Sequence, residues 1–284
     1  MRVGIGLPTT LPGTEATLPL EWARRADAGP FTSLGVLERV AYESYDPFLA
    51  LAAAAGATTR VRLATMIAIA PLRSTALLAK SAATLHAISG GRLVLGMAVG
   101  ARPDDYTATG KEYATRGRRF TECLASLHDH WEERIITPSL ADLHPPEVLV
   151  GGLSEAAFAR AARYADGYVH GGGPPRAFAR AAEKARAAWH DLGRTRPPQL
   201  WAQGYFALGG QAEAETGARY LREYYAFTGP FVERIVAELL TTPQRVAQFL
   251  RGYEDAGCDE LVLLPTVPDL DQLDRLADVI GGRR

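Results

Sequence analysis

Glycine turns set directly after short apolar runs are the features of this chain best suited to chemistry. Val148-Leu149-Val150-Gly151-Gly152-Leu153-Ser154-Glu155 has the pattern of a strand that enters a glycine turn and then a helix. The first backbone N–H groups of a helix have no partner within it, so such a turn suits an anion such as phosphate. Ser154 adds a hydroxyl. The same residues also suit a plain capped turn, with Ser154 as the cap, and spacing alone leaves both readings open. A second run, His170-Gly171-Gly172-Gly173, either leaves room for a flat ligand beside Gly171 or forms a simple loop before Pro174. His170 is a candidate donor to a bound ring or substrate. Tyr42 and Tyr45 are candidates for lining a substrate pocket. His128 and His130 lie two apart on one helical stretch and face different ways, and Cys123 and Cys258 have no metal spacing, so no metal site is expected. Asp104-Asp105 has the character of a solvated turn.

These residues act together only if the chain brings them to one place. Short β-rich apolar runs alternate with longer stretches of helical period, a pattern that predicts parallel strands joined by helical crossovers. Eight strands are expected: Arg2 to Leu7, Ser33 to Leu37, Val61 to Ile69, Leu93 to Val99, Glu147 to Val150, Gly167 to His170, Leu200 to Leu208 and Glu260 to Leu264. The helical stretches between them include Leu20 to Ala28, Pro47 to Ala55, Thr75 to Ile88, Arg116 to Trp131, Glu155 to Ala165, Pro175 to Asp191 and Leu270 to Ile280. Thr242-Pro243 marks a helix start and Ala256-Gly257-Cys258 a helix stop. The expected fold is α/β, a (β/α)8 barrel formed as one domain over residues 1–284. A helical insertion, residues 211–240, lies between the last two strands, is broken at Gly229-Pro230 and suits a lid or a dimer contact. An open doubly wound sheet would call for an early G-x-G-x-x-G turn, and Gly4-Ile5-Gly6 lies inside the first strand instead. In such a barrel the active site is built from loops at the C-terminal ends of the strands.

Bulk properties narrow the ligand. Hydrophobic residues make up 47% of the 284 and charged residues 22%, ordinary values for a globular protein with a large core. Lys plus Arg number 31 against 32 Asp plus Glu, with no long basic run, which argues against a nucleic-acid partner. The N-terminal stretch has no signal-peptide character and no apolar run is long enough to span a membrane, so a cytoplasmic location with no membrane partner is expected. A small molecule fits best.

Residues Arg60 to Phe120 resemble the bacterial luciferase-like family of flavin-dependent monooxygenases and deazaflavin (F420)-dependent oxidoreductases. The resemblance is carried by Arg60-Val61-Arg62-Leu63-Ala64-Thr65-Met66-Ile67, Pro71-Leu72-Arg73, Leu78-Ala79-Lys80 and Ala83-Thr84-Leu85, then by Ile88-Ser89-Gly90-Gly91-Arg92-Leu93-Val94-Leu95-Gly96. Gly100, Tyr106 and Arg116-Gly117-Arg118-Arg119-Phe120 continue it, and Asp46-Pro47, Gly151-Gly152-Leu153-Ser154 and Arg160 to Gly167 extend it over nearly the whole chain. It implies that the cofactor phosphate meets Gly151, Gly152, Leu153 and Ser154. It also implies that the flavin ring leans on a bulge in the third strand at Thr65, Met66 and Ile67, with a cis peptide between Met66 and Ile67. Arg102 falls near the phosphate end of the cofactor.

One departure bears on the reaction. Luciferases end their second strand in Glu-His-His, and the first His assists the flavin chemistry. Here the run is Leu37-Glu38-Arg39-Val40, which speaks against aldehyde oxidation with light emission. Glu38 and Arg39 become the catalytic candidates beside His170, with Arg39 suited to an anionic substrate or to charge on a reduced flavin. The leading expectation is a monooxygenase using reduced FMN and oxygen on a small organic substrate, since the missing His is dispensable in several flavin branches. A separate flavin reductase and homo-oligomerisation belong to that expectation. Coenzyme F420-dependent hydride transfer is the alternative, and a non-catalytic flavin-binding barrel is a further one.

Overall fold

Capping residues fix the start of many helices. In the computed structural model, which describes residues 1–132 and 143–282, the Asp46 carboxylate accepts the N–H groups of Phe48 and Leu49 and opens α2 (Pro47–Ala57). Ser74 caps α3 (Thr75–Ile88), Ser154 caps α6 (Glu155–Tyr164), and Thr242 caps α10 (Pro243–Asp255), whose first residue is the expected proline. The remaining helices are α1 (Leu18–Ala28), α4 (Pro103–Ala108), α5 (Arg116–Glu132), α7 (Pro175–Asp191), α8 (Gln211–Tyr224), α9 (Val232–Ala237) and α11 (Asp271–Gly281).

The strands are β1 (Arg2–Gly6), β2 (Ser33–Val36), β3 (Arg62–Thr65), β4 (Ala68–Ile69), β5 (Leu93–Ala98), β6 (Glu147–Gly151), β7 (Gly167–His170), β8 (Gln199–Phe206) and β9 (Glu260–Pro265). Each pairs in parallel with its neighbours, in the order β3-β2-β1-β9-β8-β7-β6-β5-β4, and a further β3–β5 pairing closes the ring. The result is a closed (β/α)8 barrel. The third strand, expected as one run from Val61 to Ile69, is interrupted between β3 and β4, where the peptide joining Met66 to Ile67 is cis. Asp104 and Asp105, expected in a solvated turn, instead belong to the short helix α4, and Asp105 is fully buried.

Strand alternation divides the buried side chains into two layers. Val3, Ile5, Val61, Leu63, Leu93 and Leu95 pack outward against the helices, whereas Ala64, Val94, Leu149, Val169, Trp201 and Val262 fill the barrel. At the N-terminal end of the barrel Arg62 pairs with Glu147 and stacks over Trp201 at 4.9 Å. The insertion after β8 forms two helical stretches, α8 and α9, with a 3-10 segment between them that is kinked at Gly229. No described helix is long and apolar enough to cross a membrane.

Candidate active site

The C-terminal ends of the strands open onto a cavity of about 310 Å³. Leu37, Glu38 and Arg39 follow β2 and form one wall; Met66 and Ile67 come from the break in the third strand; Val99 to Arg102 follow β5. Gly151, Gly152 and Gly171 line the far rim, and Gln203 of β8 and the residues Tyr224, Tyr225 and Phe227 of the insertion complete the lining. The volume lies at the small end of the range for ligand pockets.

The strand break is held from both sides. Thr65 is fully buried and donates its hydroxyl to the carbonyl of Gly96 on β5 at 2.7 Å, and a Cβ at Gly96 would stand 2.2 Å from the Thr65 carbonyl oxygen. On the other side Glu38, buried, accepts the N–H of Ile69 and the guanidinium of Arg73, which also reaches Asp46 at 3.0 Å. Burial pushes the Glu38 carboxyl up from its ordinary pKa, and the charge of Arg73 opposes that shift. Both Glu38 oxygens are therefore committed to holding the segment that follows Met66-Ile67.

Arg39 is similarly committed. Its Nε meets the Asp105 carboxylate at 3.0 Å and its Nη2 meets Asp104 at 2.8 Å, while Asp105 also accepts the N–H groups of Val40 and Ala41 at 2.8 Å each. The aspartates read from sequence as solvated thus neutralise the arginine read as a free donor. Tyr42 packs edge-on against Tyr224 with ring centroids 5.3 Å apart, and its phenol is pushed up to about 12, mainly by burial. Tyr45 is more exposed and directs its hydroxyl to the Thr14 carbonyl, and neither tyrosine is among the residues that line the cavity.

The glycine turn has the shape expected of it. Gly152 has φ +130°, and a Cβ there would stand 2.7 Å from the Cβ of Ala157 in the first turn of α6. The Ser154 hydroxyl oxygen accepts the Ala157 N–H at 3.2 Å, which leaves its own proton free to be donated outward. Leu153 is exposed at the rim. His170 points elsewhere. Its strand neighbour Val169 faces the cavity, so alternation turns the imidazole toward the helices, where it meets Phe178 at 5.8 Å and the Tyr168 hydroxyl at 3.3 Å. The Tyr168 hydroxyl in turn donates to the Gly152 carbonyl at 3.0 Å. Burial lowers the His170 pKa to about 4, so the ring is neutral at physiological pH.

The insertion over residues 211–240, expected as a lid or a dimer contact, roofs the cavity, but its lining residues were not among those expected. Tyr224 and Tyr225 close α8 and Phe227 follows; this aromatic run at the end of an otherwise charged helix was the available signal. Burial keeps the phenols of Tyr205, Tyr220 and Tyr224 protonated, and the Tyr205 and Tyr225 hydroxyls share a hydrogen bond at 2.7 Å. Arg102 reaches under this roof. Its Nη2 donates to the Tyr224 carbonyl, and its guanidinium lies 4.2 Å from the Tyr224 ring centroid and 4.5 Å from that of Phe227.

Comparison with known proteins agrees with this architecture. The model of the luciferase-like monooxygenase family matches residues 1–257. An uncharacterised Mycobacterium tuberculosis protein is 32% identical over 223 residues, covering 66% of this chain and 76% of that one. Among solved structures, the monooxygenase RslO1 from Streptomyces bottropensis superposes with a TM-score of 0.82 at 23% identity, covering 100% of this chain and 99% of its own. An F420-dependent secondary alcohol dehydrogenase, solved with an F420-acetone adduct, gives 0.84 at 16% with the same coverage. The oxygenating constituent of 3,6-diketocamphane monooxygenase from Pseudomonas putida, solved with FMN, gives 0.72 at 19%, covering 98% and 95%. At these identities the structures establish a shared fold.

Proposed function

This chain belongs to the luciferase-like monooxygenase family, and from that premise we propose that it is a flavin-dependent monooxygenase using reduced FMN and oxygen on a small organic substrate. The observation that carries this reading is one cavity lined both by the Met66-Ile67 break and by the Gly151-Gly152 turn that leads into α6. The residues present suit the cofactor. Gly152 lets the turn approach the first turn of α6 more closely than a residue with a Cβ could, and the N–H groups at the start of α6 with the Ser154 proton offer donors to a phosphate. Met66 and Ile67 supply an apolar surface for a ring.

When bound, the reduced flavin supplies the electrons, and the protein's share is orientation and exclusion of water. Glu38 serves as a positioning residue, because its carboxylate holds the N–H of Ile69 just beyond the surface that would meet the ring. Tyr224, Tyr225 and Phe227 cover the opening with rings that carry no charge and keep bulk water from the substrate. A separate reductase would deliver the reduced cofactor. Coenzyme F420-dependent hydride transfer is the second reading, since an F420-dependent dehydrogenase shares this fold.

Binding of FMN, riboflavin and F420, read by fluorescence quenching, tests the proposal. FMN is expected to bind at least about a hundredfold more tightly than riboflavin, which lacks the phosphate, and Ser154→Ala should narrow that ratio by roughly one hydrogen bond to the phosphate, about 1–2 kcal/mol. Oxygen uptake beyond that of free reduced FMN supports the monooxygenase. Selective F420 binding with absorbance change in the absence of oxygen would transfer the chain to the second reading, and tight FMN binding without turnover by any reductant would make it a non-catalytic barrel.

A further inference from the structure

Building on the flavin reading of this pocket, we propose that its substrate is a small apolar or aromatic molecule bearing a carboxylate, and that Arg102 seats that carboxylate beneath Tyr224 and Phe227. Four charged side chains line the cavity: Glu38, Arg39, Arg102 and Asp105. Three of them are matched, Glu38 by Arg73 and Arg39 by Asp105 and Asp104. Arg102 is not. Among the described residues no carboxylate lies within ion-pair distance of it, although it is only 6% exposed, and its Nη1 is buried without a hydrogen-bond partner. Among the described residues Arg102 is thus the charged lining side chain left without a counter-ion.

A buried charge without a counter-ion is costly unless something favourable surrounds it. Here the Tyr224 and Phe227 rings, with Tyr225 at 5.5 Å, provide cation-π contacts, and the Tyr224 carbonyl takes one donor. These contacts hold the guanidinium in place without cancelling its charge. Its planar fork matches the two oxygens of a carboxylate. Leu37, Ile69 and Val99 give an apolar body its surface, and Arg102 is the lining cation left without a counter-ion to meet an anionic group.

The geometry of the partners favours the substrate over the cofactor phosphate as the source of this anion. All three ring contacts of Arg102 come from the insertion after β8, which roofs the mouth, whereas the phosphate turn is formed by β6 and α6. A flavin held on Met66 and Ile67 would leave the space beneath that roof for the substrate.

The test uses the FMN-loaded protein titrated with benzoate and with its neutral counterpart benzamide, read by the absorbance of bound FMN and in parallel by tyrosine and tryptophan fluorescence. Benzoate is expected to bind at least about tenfold more tightly than benzamide. Arg102→Gln should weaken benzoate roughly ten- to a hundredfold, the loss of a charged hydrogen-bonded pair, and leave the FMN-to-riboflavin affinity ratio within about twofold. Arg102→Lys keeps the charge without the fork and should fall between; it carries the comparison if the Gln variant loses its folded circular dichroism. Equal or absent binding of benzoate relative to benzamide in the wild type overturns the proposal, as does wild-type benzoate affinity in either folded variant. A collapse of the FMN-to-riboflavin ratio in Arg102→Gln assigns the arginine to the cofactor phosphate and also overturns it. Failure of the wild type to bind any flavin defeats the functional reading, and the fluorescence titration of the same protein still decides the anion site.

Discussion

His170 and Arg102 are both buried side chains with an unpartnered nitrogen, and their surroundings give them different consequences. Arg102 stays charged among aromatic rings at the cavity, whereas His170 is kept neutral between β7 and the helix layer. That neutrality couples stability to pH. The folded state holds His170 at a pKa of about 4, against 6.5 in an exposed chain. Between those values the unfolded chain binds a proton that the folded one refuses, so stability is present in full above pH 6.5 and falls as the pH drops toward 4. The loss from this one group is about 3 kcal/mol. Denaturant titrations at pH 7, 5.5 and 4.5 should show His170→Phe losing less stability than the wild type over that interval. Parallel curves for the two proteins would mean that the imidazole is protonated in the folded state.

The element that shapes the site is the interrupted third strand, wedged between β2 and β5. Met66 donates to the Val36 carbonyl on one side at 2.7 Å, while on the other the backbone of Thr65 lies against Gly96. Only a residue without Cβ permits that approach. Gly96→Ala should push Thr65 away from β5, cost about 1–3 kcal/mol through overpacking, and lower FMN affinity because Met66 and Ile67 move with it. Gly56, in the last turn of α2, is the internal comparison, since nothing lies within 4 Å of a Cβ built there. Gly56→Ala should gain up to about 1 kcal/mol from helix propensity and leave FMN binding unchanged. Thermal melts with FMN titrations of both variants make the comparison, and a Gly96→Ala protein as stable and as avid for FMN as the wild type would detach the strand break from the cofactor.

For the molecule as a whole, closure depends on the last strand, β9, which pairs with β1 in the register Arg2↔Glu260 to Ile5↔Leu263 and with β8 from Trp201↔Glu260 onward. Glu260 sits at this seam fully buried, taking the Ser33 hydroxyl at 2.6 Å and Arg2 at 2.8 Å. Removing β9 and α11 would leave β1 and β8 with two unpaired edges and open the interior around Val262 to water. A chain ending at Ala256 is therefore expected to aggregate on expression, and the intact chain to unfold in one cooperative transition by circular dichroism and by tryptophan fluorescence. Two separated transitions would indicate that part of the barrel stands without the rest.

Local interactions were legible in the amino-acid order. The caps at Ser154 and Thr242, the stop at Gly257, the alternation of strand and helix and the bare turn at Gly151-Gly152 each depend on residues within a few positions of one another, and they emerge in the structure where the sequence puts them. The strand break at Met66-Ile67 came from family resemblance, because buried apolar residues in a strand give no local sign of it. The charge state of the cavity was decided only by the fold. Glu38 meets Arg73, Arg39 meets Asp105, and Arg102 meets Tyr224 across separations of 35, 66 and 122 residues. The direction of His170 likewise depends on which face of β7 turns toward the barrel axis. Whether a charged side chain is neutralised or left available to a ligand depends on distances of a few ångströms, and those distances exist only once the ring of strands has closed.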